Sequence, residues 1–449
     1  MHRRIAIVGA GPSGLFAAQA LVAAEAPGLE LSVDLIDRLP TPYGLLRYGV
    51  APDHTSIKSV ANALARTFES ERVRFLGTVD FGTDVTREEL LASYDAVIYA
   101  VGASEDLRMN IPGEDMAGSI SAREFVAWYG GHPDARPQIL DGVTSVATIG
   151  VGNVAVDVAR VLVKDPHDLH VTDMPQAVLD TLAEHTVTEV HVVGRRGPQH
   201  ASFTSKELRE LVNLDGVQVA IDPGAFDGID LDELDRRTKT NVTVLQEAET
   251  RQVDNPRARL VFHFWARPVE VLHAEDDSVN GLVLERTTLD DNGRVAGTGA
   301  TFAIAVQRVL RAIGYRSVPL PGVPFDDRAG IVPNIEGRVV DAEGTVQPRE
   351  YVAGWIKRGP VGVIGTNKSD AAQTVGHLLA DLADQPATER PSLDDVFAAR
   401  GFRASTFADW QVIDAAEISL GESRDRERTK IEGWAQLLDL IRAEQDANA

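Results

Sequence analysis

The 449-residue chain contains no cysteine. That absence excludes a disulfide framework, thiolate metal sites, an iron–sulfur cluster held by this chain and any thiol redox centre. Long apolar runs are missing as well. The N-terminus, MHRRIAIVG, passes from two arginines into a short apolar run and then glycine, too brief for a signal peptide or a membrane span, so a cytoplasmic protein is expected. Positive charge is scarce: 44 basic side chains stand against 67 acidic ones, a formal net charge of −23. Such a field repels nucleic acid and anionic membrane, so neither is an expected partner, and any basic cluster needs a local reason.

What is present is a repeated alternation. Apolar runs of strand type alternate with helical patterns at Ile5 to Val8, Leu15 to Val22 and Leu31 to Ile36, a βαβ order that implies a parallel sheet. A second unit starts at Val146 to Ile149, continues through VAVDVARVLV and closes at Val190 to Val193. The fold class expected is therefore α/β, with two Rossmann-like dinucleotide-binding domains, the second inserted in the first. The boundaries read from the sequence are 1–103 and 325–449 for the first domain and 104–324 for the second. Between Gln218 and Ala305, runs such as LVFHFWA and VNGLVLERTT with the turn DDNG suggest hairpins appended to the second unit.

Each unit carries a phosphate-binding turn. GAGPSG places Gly9 for a tight turn, Gly11 for close approach to a pyrophosphate and Gly14 for helix–sheet packing, with a helix N-terminus behind them. The next strand ends in Asp37, a carboxylate suited to the hydroxyls of an adenosine ribose. GVGNVA repeats the device with Gly150, Gly152, Asn153, Val154 and Ala155, but its following strand ends in VGRRGP, with Arg195 and Arg196. Two guanidiniums there repay a 2′-phosphate with charge-assisted hydrogen bonds, where a carboxylate would repel it. The first turn thus suits FAD and the second NADP(H). Further on, YVAGWIKRGPVGVIGTNKSDAAQTVGHLLADL reads as strand, glycine-rich loop and a helix beginning near Ser369 or Asp370.

These stretches, together with LPTPYGLLRYGVAPDH, NIPGED, HASFTSKELRE, AIGYRSVPLPGVPFDD and DWQVIDAAE, resemble the adrenodoxin reductase-like ferredoxin–NADP reductases over almost the whole chain. The resemblance implies flavin contacts at Ser13, Asp37, Leu45, Val79, Trp355 and Gly362, Val363 and Ile364. It implies NADP contacts at Gly152 to Ala155, Arg108, Arg195, Arg196 and Glu207, with Gly362 near the nicotinamide, and a catalytic polar pair of His54 and Glu207. Taken alone, His54 reads as a solvated loop histidine and Glu207 as an exposed helix residue. Two departures are Tyr43, where relatives often carry tryptophan, and Val151 in GVGNVA, where theirs reads GNGNVA.

With no thiol in the chain, electrons would leave directly from non-covalently bound FAD. The expected activity moves a hydride from NADPH and passes single electrons to an acidic ferredoxin. Basic residues Arg236, Arg237 and Lys239, with Lys357, Arg358 and Lys368, are the candidate docking cations. An NADPH-dependent flavin oxidase or quinone reductase, and a non-catalytic flavin and nucleotide sensor, remain open on these residues.

Overall fold

The computed structural model describes residues 2–24, 28–383, 385–386 and 388–447. The chain forms two compact units, Met1–Glu105 with Tyr315–Ala449, and Asp106–Gly314. The later division thus falls at Gly314, ahead of the position 324 read from the sequence. The physical reason is that Arg308–Arg311 is the last strand of the second sheet, and Ser317 already hydrogen-bonds to Gly102 of the first unit at 3.0 Å.

In the first unit a seven-stranded sheet runs in the order Asn334–Ile335, Arg338–Val340, Val346–Val352, Ala96–Tyr99, His2–Val8, Glu30–Ile36 and Val73–Leu76. The last five of these are parallel and the first two pair antiparallel at one edge. Alternation along His2–Val8 sends Ile5 and Ile7 into one apolar cluster with Leu15 and Leu378, and Ala6 and Val8 into another with Val97 and Val352. Burial on both faces is why this strand reads as an unbroken apolar run. The helix Pro12–Ala23 follows directly from the glycine turn.

The second unit holds a six-stranded sheet, Ser119–Ser121, Arg308–Arg311, Ser145–Ile149, Glu189–Val193, Ala258–His263 and Val217–Ile221 in spatial order, with every pairing parallel. One face packs on the helix Asn153–Val163 through Val156, Val146 and Val190. The other packs on a three-stranded antiparallel sheet, Ala266–His273, Val279–Leu289 and Val295–Ile304, through Ala147, Ile149, Leu282 and Leu284. The LVFHFWA run is thus a central parallel strand and not a hairpin arm. Leu260 and Phe262 enter the apolar cluster of the helix Asn153–Val163, and Val261 and His263 of the other face are buried as well, a burial that periodicity alone does not distinguish from a hairpin. The DDNG turn does join two antiparallel strands, with Gly293 at φ 70°.

Candidate functional site

The first glycine turn is built by close contacts that only glycine permits. Gly9 has φ 107°, and a Cβ there would lie 2.6 Å from the Ala100 carbonyl oxygen; a Cβ on Gly14 would lie 1.9 Å from the Gly9 oxygen. Gly11 differs, since its Cβ would meet nothing nearer than Gly44 Cα at 4.0 Å, leaving the open face that a pyrophosphate requires. The YGLL loop crosses this turn. Tyr43 donates its N–H to the Ala10 oxygen at 2.9 Å and adopts φ 82°, with its ring edge-on to Trp410 at 6.0 Å.

Asp37 sits half-buried at the end of Glu30–Ile36, accepting the Ala10 N–H at 2.7 Å and the Leu39 N–H at 2.9 Å. Burial pushes its carboxyl above the ordinary range, against the pull of both N–H donors and of Arg38. Ribose hydroxyls donating to its remaining lone pairs would favour the ionised form. Val79 is buried beside it, its N–H bonded to the Asp37 carbonyl oxygen at 3.0 Å. The Ser13 hydroxyl, buried at the start of the helix, has no hydrogen-bond partner among the described residues, and it occupies the space a Cβ on Gly354 would need. A buried orphan hydroxyl at a helix N-terminus fits a phosphate of FAD.

Trp355 opens a short helix, Trp355–Arg358, and stacks on Tyr315 with centroids 5.8 Å apart. The loop that follows exposes apolar side chains: Val363 is 66% exposed, and Leu45 of the YGLL loop is 41% exposed. Such uncovered apolar surface fits a flat ring system. The next helix starts at Thr366, a turn earlier than the sequence reading placed it, and Ser369 and Asp370 lie inside it. Asp370 is not its cap. Its carboxylate instead accepts the Gly354 N–H at 2.6 Å and pairs with Lys357 at 3.0 Å, fixing the short helix to the long one.

The second turn repeats the first. Gly150 has φ 132°, and a Cβ there would lie 2.3 Å from the Ala312 oxygen, the counterpart of Ala100. Gly152 caps the helix Asn153–Val163, Val154 packs against the core beneath it, and Ala155 is fully buried where the first turn has Gly14. Asn153 accepts the Thr204 N–H at 2.8 Å, which ties this turn to the helix Ser205–Val212. Ser202 lies over Gly152, its Oγ 3.3 Å from where a Cβ would stand. Nothing in its spacing marked it.

Arg195 is exposed at the strand end, and among the described residues no carboxylate pairs with it. Arg196 is half-buried, reaches the Gly293 oxygen at 3.5 Å and leaves its Nε buried without a partner among the described residues. Two guanidiniums without a carboxylate partner among the described residues, in a chain of net charge −23, fit a 2′-phosphate. Arg108 differs, being held by Asp115 at 2.6 Å. Glu207 is corrected from an exposed to a buried residue, 5% exposed with Oε2 unpartnered among the described residues, because its helix turns that face into the core with Leu208 and Leu211. His54 is likewise buried, at the entry to the short helix Thr55–Lys58 in the first unit.

Of the docking cations, Arg236, Arg237 and Lys368 are exposed, and Lys239 is exposed but paired with Asp232 at 2.8 Å. Arg358 is half-buried and bonded to Asn367 at 2.8 Å. Lys357 is a correction: it is 7% exposed, with Nζ satisfied by Gln373, Thr374 and Asp370. A buried, fully paired ammonium does not meet a partner protein.

Two parallel-sheet units, each with a glycine turn, ending in a carboxylate in one and in paired arginines in the other, define a class: two-nucleotide oxidoreductases of the flavin and pyridine-nucleotide type. The family described as pyridine nucleotide-disulphide oxidoreductase matches residues 3–255. NADPH-ferredoxin reductase FprA of Mycobacterium tuberculosis is 46% identical over 97% of this chain and 98% of its own. The mitochondrial NADPH:adrenodoxin oxidoreductase of Arabidopsis thaliana is 37% identical over 97% of this chain and 94% of its own. The solved structure of the M. tuberculosis FprA in complex with NADPH superimposes with a TM-score of 0.91, covering 98% of this chain and 99% of that one at 44% identity. This chain belongs to the pyridine nucleotide-disulphide oxidoreductase family and, within it, to the adrenodoxin reductase-like ferredoxin–NADP reductases.

Proposed function

We propose that this protein moves electrons between NADPH and a ferredoxin-type iron–sulfur protein by way of non-covalently bound FAD. The observation that carries the reading is the opposite charge at two equivalent strand ends, Asp37 after Glu30–Ile36 and Arg195 with Arg196 after Glu189–Val193. Bound FAD supplies the exchange between a two-electron hydride and single electrons.

Every other role falls to the chain. Gly9, Gly11 and Gly14 hold the pyrophosphate turn, Ser13 donates to a phosphate and Asp37 accepts from the ribose. Val79 borders the adenosine end, while Leu45, Trp355 and Gly362 to Ile364 border the ring. On the nucleotide side, Gly150 to Ala155 form the turn, Arg195 and Arg196 pair with the 2′-phosphate, and Arg108 and Glu207 complete the contacts. His54 and Glu207 act as hydrogen-bonding and orienting groups, since hydride transfer needs no protein proton donor.

The protein acceptor is an acidic ferredoxin. Arg236, Arg237 and Lys368 are the cations proposed to meet it, their positive field being local against an acidic whole. A cytoplasmic setting, where NADPH is produced, belongs to the same proposal. The test is an absorption spectrum of the purified protein followed by NADPH-driven reduction of ferredoxin, quinone and oxygen. Fastest turnover with ferredoxin supports the reading. Faster turnover with quinone or oxygen makes the protein an oxidase or quinone reductase, and slow or absent flavin bleaching makes it a sensor.

A further inference from the structure

The segment between Gln218 and Ala305 carries no motif that the activity uses, yet it holds the two phosphate-facing arginines in place. Three successive carbonyls of the GRRGP loop are each bonded by it. The Gly194 oxygen accepts the Ala266 N–H at 3.0 Å, the Arg195 oxygen accepts the Thr287 hydroxyl at 3.0 Å, and the Arg196 oxygen accepts the Trp265 N–H at 3.3 Å. Thr287 in turn donates its N–H to the Trp265 oxygen at 2.9 Å. Trp265 and Thr287 thus form a closed bracket behind the arginines.

Both bracket residues are unusual for their elements. Trp265 has φ 52°, a left-handed conformation that disfavours a bulky side chain and persists only where surroundings enforce it. Thr287 is 6% exposed and stands just past a break in strand register between Glu285 and Thr287, where it pairs with Gly297 while its hydroxyl reaches the Arg195 oxygen. Gly197 completes the arrangement, because a Cβ there would lie 2.7 Å from the Trp265 ring. Behind Thr287, Arg286 is tied to Asp222 at 2.5 Å, and Asp222 to His263 at 3.0 Å, so the bracket is fixed to the parallel sheet.

We infer that Thr287 and Trp265 are positioning residues for 2′-phosphate recognition, and that the three-stranded sheet is the specificity element of the nucleotide unit. With the three carbonyls fixed, the loop holds Arg195 exposed and Arg196 half-buried beside it, with no carboxylate anchoring either guanidinium among the described residues. This rests on the assignment of Arg195 and Arg196 to the 2′-phosphate.

The experiment measures binding of 2′,5′-ADP and of 5′-AMP by calorimetry to the FAD-loaded full chain, which separates the phosphate from turnover. The wild type is expected to prefer 2′,5′-ADP. Thr287→Val, which keeps the shape and removes one neutral hydrogen bond, is expected to lower 2′,5′-ADP affinity about 3- to 10-fold and to leave 5′-AMP unchanged. Thr287→Ser should restore the preference, and Gly197→Ala, which pushes on the Trp265 ring, should weaken it independently. Equal wild-type binding of the two ligands overturns the 2′-phosphate assignment itself. A wild-type preference that survives in Thr287→Val and Gly197→Ala, or an equal loss of both ligands, overturns the bracket alone.

Discussion

Arg47 and Glu417 form a two-point ion pair at 3.1 and 2.5 Å, with side chains only 5% and 0% exposed. The pair joins the YGLL loop to the helix Phe407–Glu422, and Arg428 and the Ile431 N–H complete the carboxylate's shell at 2.9 and 3.0 Å. The Arg47 guanidinium also lies over the rings of Tyr48 and Trp410, at 4.9 and 4.8 Å. Burial works against ionisation of Glu417, but the charge and hydrogen bonds of Arg47, with help from Ile431 and Arg428, hold its carboxyl below the usual range.

Glu417→Ala therefore leaves Arg47 buried without its anion. It is expected to destabilise the first unit by about 3–5 kcal/mol, read by denaturant unfolding. Replacing both partners by apolar residues of similar volume should recover much of the loss. The depressed carboxyl pKa means that this stabilisation is present above the unfolded carboxyl value and is lost as pH falls through the folded one, so the Glu417→Ala chain should show a shallower acid transition than wild type.

Asp37→Ala removes the carboxylate proposed to accept from the ribose and, with it, the acceptor of two backbone N–H groups. FAD affinity should fall about 10- to 100-fold for each charge-assisted bond lost, measured as the flavin-to-protein absorbance ratio after gel filtration. Full flavin retention would exclude the assigned role.

His191 and His263 stack 5.1 Å apart in the second unit, with ring nitrogens 2.9 Å from one another. Burial, then the neighbouring His263, pushes the His191 pKa down to about 4, although Glu189 opposes the shift and Arg259 adds to it. Because the folded value lies below the unfolded one, the unfolded chain takes up the proton first. Stability of this unit should be full above pH 6.5 and decline as pH drops toward 4. His191→Gln should flatten the pH dependence in that window, seen in melting temperature against pH. The acid lability contributed by Asp222, whose carboxyl is held low by His263 and Arg286 against its burial, lies below that window.

Arg236→Glu with Arg237→Glu should slow ferredoxin reduction, most at low salt, and leave NADPH-dependent dye reduction unchanged. Both arginines occupy the exposed first turn of the helix Arg236–Thr250, where the helix dipole gives a cation no benefit. Unchanged stopped-flow rates at low ionic strength would remove this docking surface.

The parts of the site legible in the sequence are those made within one local segment. GAGPSG, Asp37, GVGNVA and GRRGP each occur as a continuous strand–turn–helix or strand end, so spacing alone reveals them. What spacing did not reveal depends on distant partners. Asp370 reads as a helix cap until Gly354 and Lys357 claim its carboxylate. Lys357 reads as a surface cation until Gln373 and Thr374 bury it. The Arg195 carbonyl and the Thr287 hydroxyl meet through the antiparallel layer, which composition marks only as β-rich. Glu207 looks exposed in a charged stretch, and only its position facing the core removes it from solvent.

The most direct test of two oppositely charged nucleotide turns is an anaerobic titration of the purified flavoprotein with NADPH and with NADH, on wild type and on Arg195→Ala with Arg196→Ala. Each charge-assisted bond to the 2′-phosphate contributes about 1.5–3 kcal/mol, or one to two powers of ten in affinity. The account predicts a yellow protein whose flavin band bleaches on stoichiometric NADPH, with the double variant losing affinity for NADPH far more than for NADH. A colourless protein that takes up no FAD, or equal losses for both nucleotides, would contradict it.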